Sequence, residues 1–182
     1  MKIIVIGKGT IGSAVAHALK EKGHEVLSVS RNSGELRADL SDPKSLHALF
    51  SSVGPFDAVA NAAGKVFPGP LEQTTPEQWA NSINSKGMGQ INLVREALPF
   101  IADRGSFTLV SGVLTDEYMH NGTIGTTVNH LVEGFVRAAV ATAVFNGKEP
   151  RQHRTLPTAS ASPPPAHRPQ RIREFGRTAA PE

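Results

Sequence analysis

The chain of 182 residues contains no cysteine, so it forms no disulfide and offers no thiolate to zinc. No metal site is expected. No stretch approaches the roughly 20 apolar residues of a membrane-crossing helix, and no membrane contact is expected. The apolar run Ile3-Ile4-Val5-Ile6 behind Lys2 stops at Gly7, too short for the core of a secretion signal. These absences make the cytoplasm the expected compartment. Aromatic residues amount to 5%, with one tyrosine, Tyr118. Most of the chain also lacks an excess of basic charge. The net +3 resides in the tail, where six arginines after Pro150 stand against two acids, about +4, leaving the body near −1. Nucleic acid is therefore not an expected partner.

What is present alternates. Lys2–Ile6 reads as a buried strand ended by glycine, and Glu25–Ser30 as a second. Between them Ile11, Ala14, Val15, Ala18 and Leu19 keep helical spacing as far as Gly23. Leu36–Leu40 is a short third strand. Asp42 caps a helix with Pro43 at its first position and Leu46, Leu49, Phe50 and Val53 facing inward. Asp57–Gly64 is a fourth strand running into a loop, and Thr75 with Gln78 has capping-box spacing. A helix carrying Ile91, Val94, Leu98 and Ile101 precedes a fifth strand, Ser106–Gly112. A long helical stripe then runs from Val128 through Leu131, Val132, Phe135, Val136, Ala139 and Val140 to Ala143. Strands alternating with helices require parallel crossovers, hence a doubly wound α/β sheet.

Gly7, Gly9 and Gly12 form G-x-G-x-x-G between a strand and a helix, the context in which that spacing binds a dinucleotide. Gly7 allows the turn, Gly9 lets pyrophosphate approach, and Gly12 lets the helix pack on the strand. The N–H groups near Thr10 and Ile11 then face the phosphates. An NAD site would place an acid at the end of the second strand. Here Ser30 and Arg31 stand there, with Lys8 in the loop, which favours NADP over the alternative, NAD. Asp39, with Leu40 beside it, is placed to meet the adenine.

With these residues in view, the chain resembles the short-chain dehydrogenase/reductase family over most of residues 1–146. Asn61-Ala62-Ala63-Gly64 looks like the family's N-A-G motif, and Asn84–Gly87 like its N-x-x-G segment. The resemblance implies a Rossmann-like sheet of about five strands, with Asn61 to Gly64 along the cofactor. It also implies Asn84 as a relay asparagine and Ser111 as the group orienting a small carbonyl or alcohol substrate. The loop departs from the pattern by being a residue or more shorter between its first two glycines.

The larger departure is catalytic. The family's Tyr-x-x-x-Lys pair falls on Gly125 and Asn129, so its usual proton donor is missing. Tyr118 and His120 in the preceding loop are conceivable substitutes, as is His130, whose ordinary reading is a helix-surface side chain. Lys65 and Lys86 lie near the expected cleft and can stand in electrostatically for the lysine; for each, the ordinary reading is a solvated side chain.

The body, 1–147, is expected to be the NAD(P)-binding domain. Residues 148–182, with seven prolines from Pro150 on, read as a disordered tail in place of the family's last strands. The functional alternative is a polyproline ligand around Pro163-Pro164-Pro165, or a basic arm touching RNA or DNA. Aberrant, out-of-frame sequence joined to a truncated body accounts for the abrupt change of composition. Loss of those strands would expose the fifth strand and the apolar stripe, favouring self-association through the long helices. Three functions follow: an NADP-dependent oxidoreductase, a non-catalytic NAD(P)-binding module, or, on composition alone, an interaction protein working through its Pro/Arg tail.

Overall fold

The computed structural model describes residues 1–145 apart from Asp116 and Tyr118, and the side chains of 1–140 apart from the same two. The expectations for Tyr118 and the 148–182 tail lie outside the described residues, as does that for the side chain of Ala143, whose backbone belongs to the last helix.

Five parallel strands form one sheet in the order β3-β2-β1-β4-β5: β1 Lys2–Ile6, β2 Glu25–Ser30, β3 Leu36–Arg37, β4 Phe56–Asn61 and β5 Ile101–Thr108. The helices are α1 Thr10–Glu21, α2 Pro43–Val53, α3 Pro76–Ser82, α4 Gly89–Ala97 and α5 Thr123–Phe145. A π-helical segment, Ile83–Met88, joins α3 to α4.

After Lys2, β1 is apolar from Ile3 to Ile6 because both its faces are covered. Ile4 and Ile6 point into a core with Val29, Leu46, Phe50, Phe56 and Leu93, in which the rings of Phe50 and Phe56 lie 5.4 Å apart. Ile3 and Val5 point the other way, to Ala16 and Ala58. Asp42 caps α2 by accepting from the Lys44 N–H, and the Thr75/Gln78 capping box opens α3.

Several boundaries differ from the sequence reading. The third strand ends at Arg37, short of Leu40. The helix assigned to Ile91–Ile101 stops at Ala97, and Ile101 instead opens β5, paired with Phe56. Pro99 accounts for this, since it lacks the N–H that would continue the helix. β5 therefore occupies Ile101–Thr108 rather than Ser106–Gly112. Its pairing slips between Phe56↔Ile101 and Ala58↔Ser106, around Arg104, which has a positive φ of 63°. In α1 the buried residues are Gly12 and Ala16; Ile11, Ala14 and Ala18 are exposed. Small residues bring the helix close to the sheet, and that contact turns Ile11 outward.

Candidate functional site

The carboxyl ends of β1 and β4 lie side by side, and the turns leaving them interlock. Gly7, at φ 107°, donates its N–H to the Val29 carbonyl at 2.8 Å, and Ala62 donates to Ile6 O at 2.7 Å. A Cβ on Gly7 would sit 3.0 Å from the Ala62 carbonyl carbon, so only glycine fits beneath the Asn61–Gly64 turn. Asn61, 2% exposed, holds that turn itself: its Nδ2 donates to Ala63 O at 2.8 Å, and its Oδ1 accepts from Ala63 N at 3.2 Å.

Gly9 is the N-cap of α1 and has no capping side chain, while a Cβ built on it would meet nothing within 4 Å. A helix N-terminus with uncapped N–H groups below open space suits a pyrophosphate. Thr10 is exposed, and Ile11, 64% exposed, offers an apolar surface at the mouth. The residues present fit a dinucleotide.

At the far end, Ser30 ties the following loop by accepting from Ser33 N at 3.1 Å and donating to Ser33 O. Gly34 lies against the Lys8 ammonium, and Arg37 Nε donates to Gly34 O at 3.1 Å. Arg31 is exposed beside them. Lys8, Arg31 and Arg37 thus surround one loop; Arg37, read as a strand residue, was not legible as part of it. Asp39 Oδ1 accepts from Ser41 N at 2.9 Å, and Leu40 is buried beneath Gly89.

The other end of the cleft is built by the π-helical segment. Lys86 runs across Gly64, where a Cβ would lie 3.0 Å from Lys86 Cγ. Its Nζ donates to Ser111 O at 2.9 Å and to Asn129 Oδ1 at 2.6 Å. Burial holds this ammonium below the usual lysine value. Ser111 Oγ donates to Glu133 Oε1 at 2.7 Å. Gln90, fully buried, spans α4 and the exit of β5: Oε1 accepts from Val110 N at 2.8 Å and Nε2 donates to Val110 O at 2.9 Å.

Asn84 is exposed on the π-helical segment, and no described hydrogen bond joins its side chain to Ser111. His130 is exposed and its Nδ1 lies 2.9 Å from Thr126 O, as a surface side chain does. Gly125 is buried under Leu114, whose Cδ1 would be 2.8 Å from a Cβ there.

Gln90 and Glu133 escaped the sequence reading. Gln90 had a signal, since it precedes Leu93, Val94 and Ala97 on one helical face and is buried with them. Among the described residues no group of His, Asp or Glu could hold a metal ion, and no helix is long and apolar enough to cross a membrane.

Residues 3–111 match the model of the NAD-dependent epimerase/dehydratase family. A 3-ketodihydrosphingosine reductase of Bacteroides thetaiotaomicron is 28% identical over 125 residues, 61% of this chain and 46% of that protein. Versicolorin reductase 1 of Aspergillus parasiticus is 30% identical over 131 residues, 59% of this chain and 50% of that protein. The chain spans about half the length of these curated relatives. Among solved structures, the Listeria innocua protein lin1944 is 38% identical with a TM-score of 0.75, covering 78% of this chain and 71% of that one. A small-chain dehydrogenase in complex with NADPH is 25% identical with a TM-score of 0.70, covering 78% of this chain and 64% of that one.

Proposed function

The chain belongs to the NAD-dependent epimerase/dehydratase family and is a short-chain dehydrogenase/reductase, and from that premise we propose that it is an NADP-dependent oxidoreductase of a small carbonyl or alcohol. The observation that carries this reading is the open, uncapped α1 N-terminus at Gly9 beside the Asn61 turn, at the carboxyl ends of adjacent parallel strands. A bound nicotinamide dinucleotide supplies a hydride donor or acceptor.

The amides of Thr10 and Ile11 hold its pyrophosphate, and Asn61 to Gly64 line its path. Lys8 and Arg31 support NADP over NAD: with Arg37 they place three cations around the loop after β2 against one acid, Glu35, and no acid ends the strand itself, where a 2′-phosphate needs charge-assisted donors. Asp39 and Leu40 border the adenine side. A substrate oxygen at Ser111 meets a hydroxyl already donating to Glu133, so Ser111 Oγ accepts from an alcohol or is released to donate to a carbonyl.

Fluorescence titration of NADPH onto the protein tests the reading, followed by its oxidation in the presence of a panel of aldehydes and ketones. Binding with turnover is expected. Binding without turnover would make the chain a dinucleotide-binding module, and no binding would refute both.

A further inference from the structure

Lys86 is half-buried, and its ammonium is fixed on two oxygens from different elements, the Ser111 carbonyl beyond β5 and the Asn129 amide on α5. An ammonium carries three N–H donors, so one remains after these two bonds. The stem crosses Gly64, which places the head group between the turn after β4 and Ser111. A half-buried lysine head bonded to the backbone of Ser111, at the carboxyl end of a parallel sheet, is placed where ligands react rather than where a surface lysine floats. Asn129 is 2% exposed and is itself positioned by Gly112, whose Cβ would lie 2.9 Å from Asn129 Nδ2. The Lys86 ammonium thus stands one hydrogen bond from the side chain at position 129. The tyrosine position has no such replacement, since Leu114 fills the space over Gly125.

Resting on the oxidoreductase reading, we propose that Lys86 is a catalytic acid: it binds the carbonyl oxygen of the substrate through its third N–H and gives that proton up during reduction. As a hydride from the reduced dinucleotide bonds to the carbonyl carbon, the C=O π pair moves to oxygen. The Lys86 N–H bond then breaks, its proton forms the alcohol O–H, and solvent reprotonates the neutral amine. The carbonyl is reduced and the nicotinamide oxidised. The lowered affinity of Lys86 for its proton suits this role, because a donor acts best when its pKa approaches the working pH. Asn129 is a positioning residue. The neighbouring elements carry two more charged residues: Glu133 on α5, which accepts from Ser111 Oγ at 2.7 Å, and the exposed Lys65, whose backbone N–H donates to Ser85 Oγ at 3.1 Å.

The test uses the full chain, its Lys86→Met and Lys86→Arg variants, and three readouts: NADPH affinity by fluorescence, kcat against pH for a reduced carbonyl, and the Cε signal of 13C-labelled lysine. Lys86→Met should lose about 100-fold or more in kcat with NADPH affinity changed less than about tenfold. Lys86→Arg keeps the charge but releases no proton, and should lose turnover similarly. The lysine signal missing from Lys86→Met should titrate below the others, at the pH of the alkaline limb of kcat. Either variant keeping kcat within about threefold of the wild-type chain overturns the proposal, as does a signal that titrates with the other lysines. Wild-type binding of NADPH with no carbonyl reduced also overturns it while sparing the cofactor site. No NADPH binding overturns the oxidoreductase reading itself, and the lysine titration then still reports whether Lys86 is the perturbed group.

Discussion

Gly12 lies directly against the Gly7 carbonyl, so that a side chain at 12 would run into backbone. Gly9, between them in the chain, faces open space. The same motif thus contains two glycines that the fold requires, Gly7 and Gly12, and one, Gly9, that packing leaves unconstrained.

Gly12 and Gly9 should separate by mutation. Gly12→Ala must push α1 off the sheet and is expected to cost about 1–3 kcal/mol, read as a lower urea midpoint. Gly9→Ala gives up a good N-cap for a poor one, a loss under about 1 kcal/mol, yet should weaken NADPH binding about tenfold or more. A Gly9→Ala variant that binds NADPH as the wild-type chain does would move the pyrophosphate elsewhere.

Cofactor choice should follow the cations around the loop after β2. Alanine at both Lys8 and Arg31 is expected to raise the NADPH dissociation constant about tenfold or more while changing that of NADH less than about threefold. The NADPH affinity of the wild-type chain should also fall as salt is added. Equal losses for the two nucleotides would contradict the 2′-phosphate assignment.

Gln90→Leu removes both partners of Val110 at a fully buried position. Stranded N–H and C=O groups cost about 1–3 kcal/mol each, so the thermal midpoint should drop by several degrees. Because Val110 precedes Ser111, turnover should suffer more than NADPH binding.

Lys86 should leave a mark on stability at alkaline pH. Its proton affinity is lower in the folded chain than in the unfolded one, so between the lowered value and 10.5 the unfolded chain binds more protons. Its contribution to stability therefore rises with pH across that window and is flat below it. Urea titrations of the wild-type chain and Lys86→Met at a series of pH values should diverge with that sign, and parallel curves would contradict it.

The first half of the fold was legible because local chemistry dictates it. β1 and β2 have the limits their apolar runs suggest, and Asp42-Pro43 and Thr75-x-x-Gln78 start helices where they should. Tertiary contact overrode pattern elsewhere. Ile101 keeps helical spacing with Leu98 yet pairs with Phe56, and Ile11 keeps the apolar period of α1 yet faces out because Gly12 makes the closer contact. The glycine loop and the Asn61 turn are sequence-local and were readable. The Lys86 cluster joins positions 86, 111, 129 and 133, and only the fold brings those together. The π-helical segment has no composition that announces it.

β1 sits in the middle of the sheet although it is made first. Its partner β2 is complete at Ser30, but its other neighbour, β4, is complete only at Asn61. At ribosomal speeds of about 5–20 residues per second, a few seconds separate the two. Throughout that interval one side of Ile3–Ile6 is an unpaired apolar edge, open to pairing with another nascent chain. Folding during synthesis is therefore a race between that pairing and the emergence of Phe56–Asn61, which closes the edge.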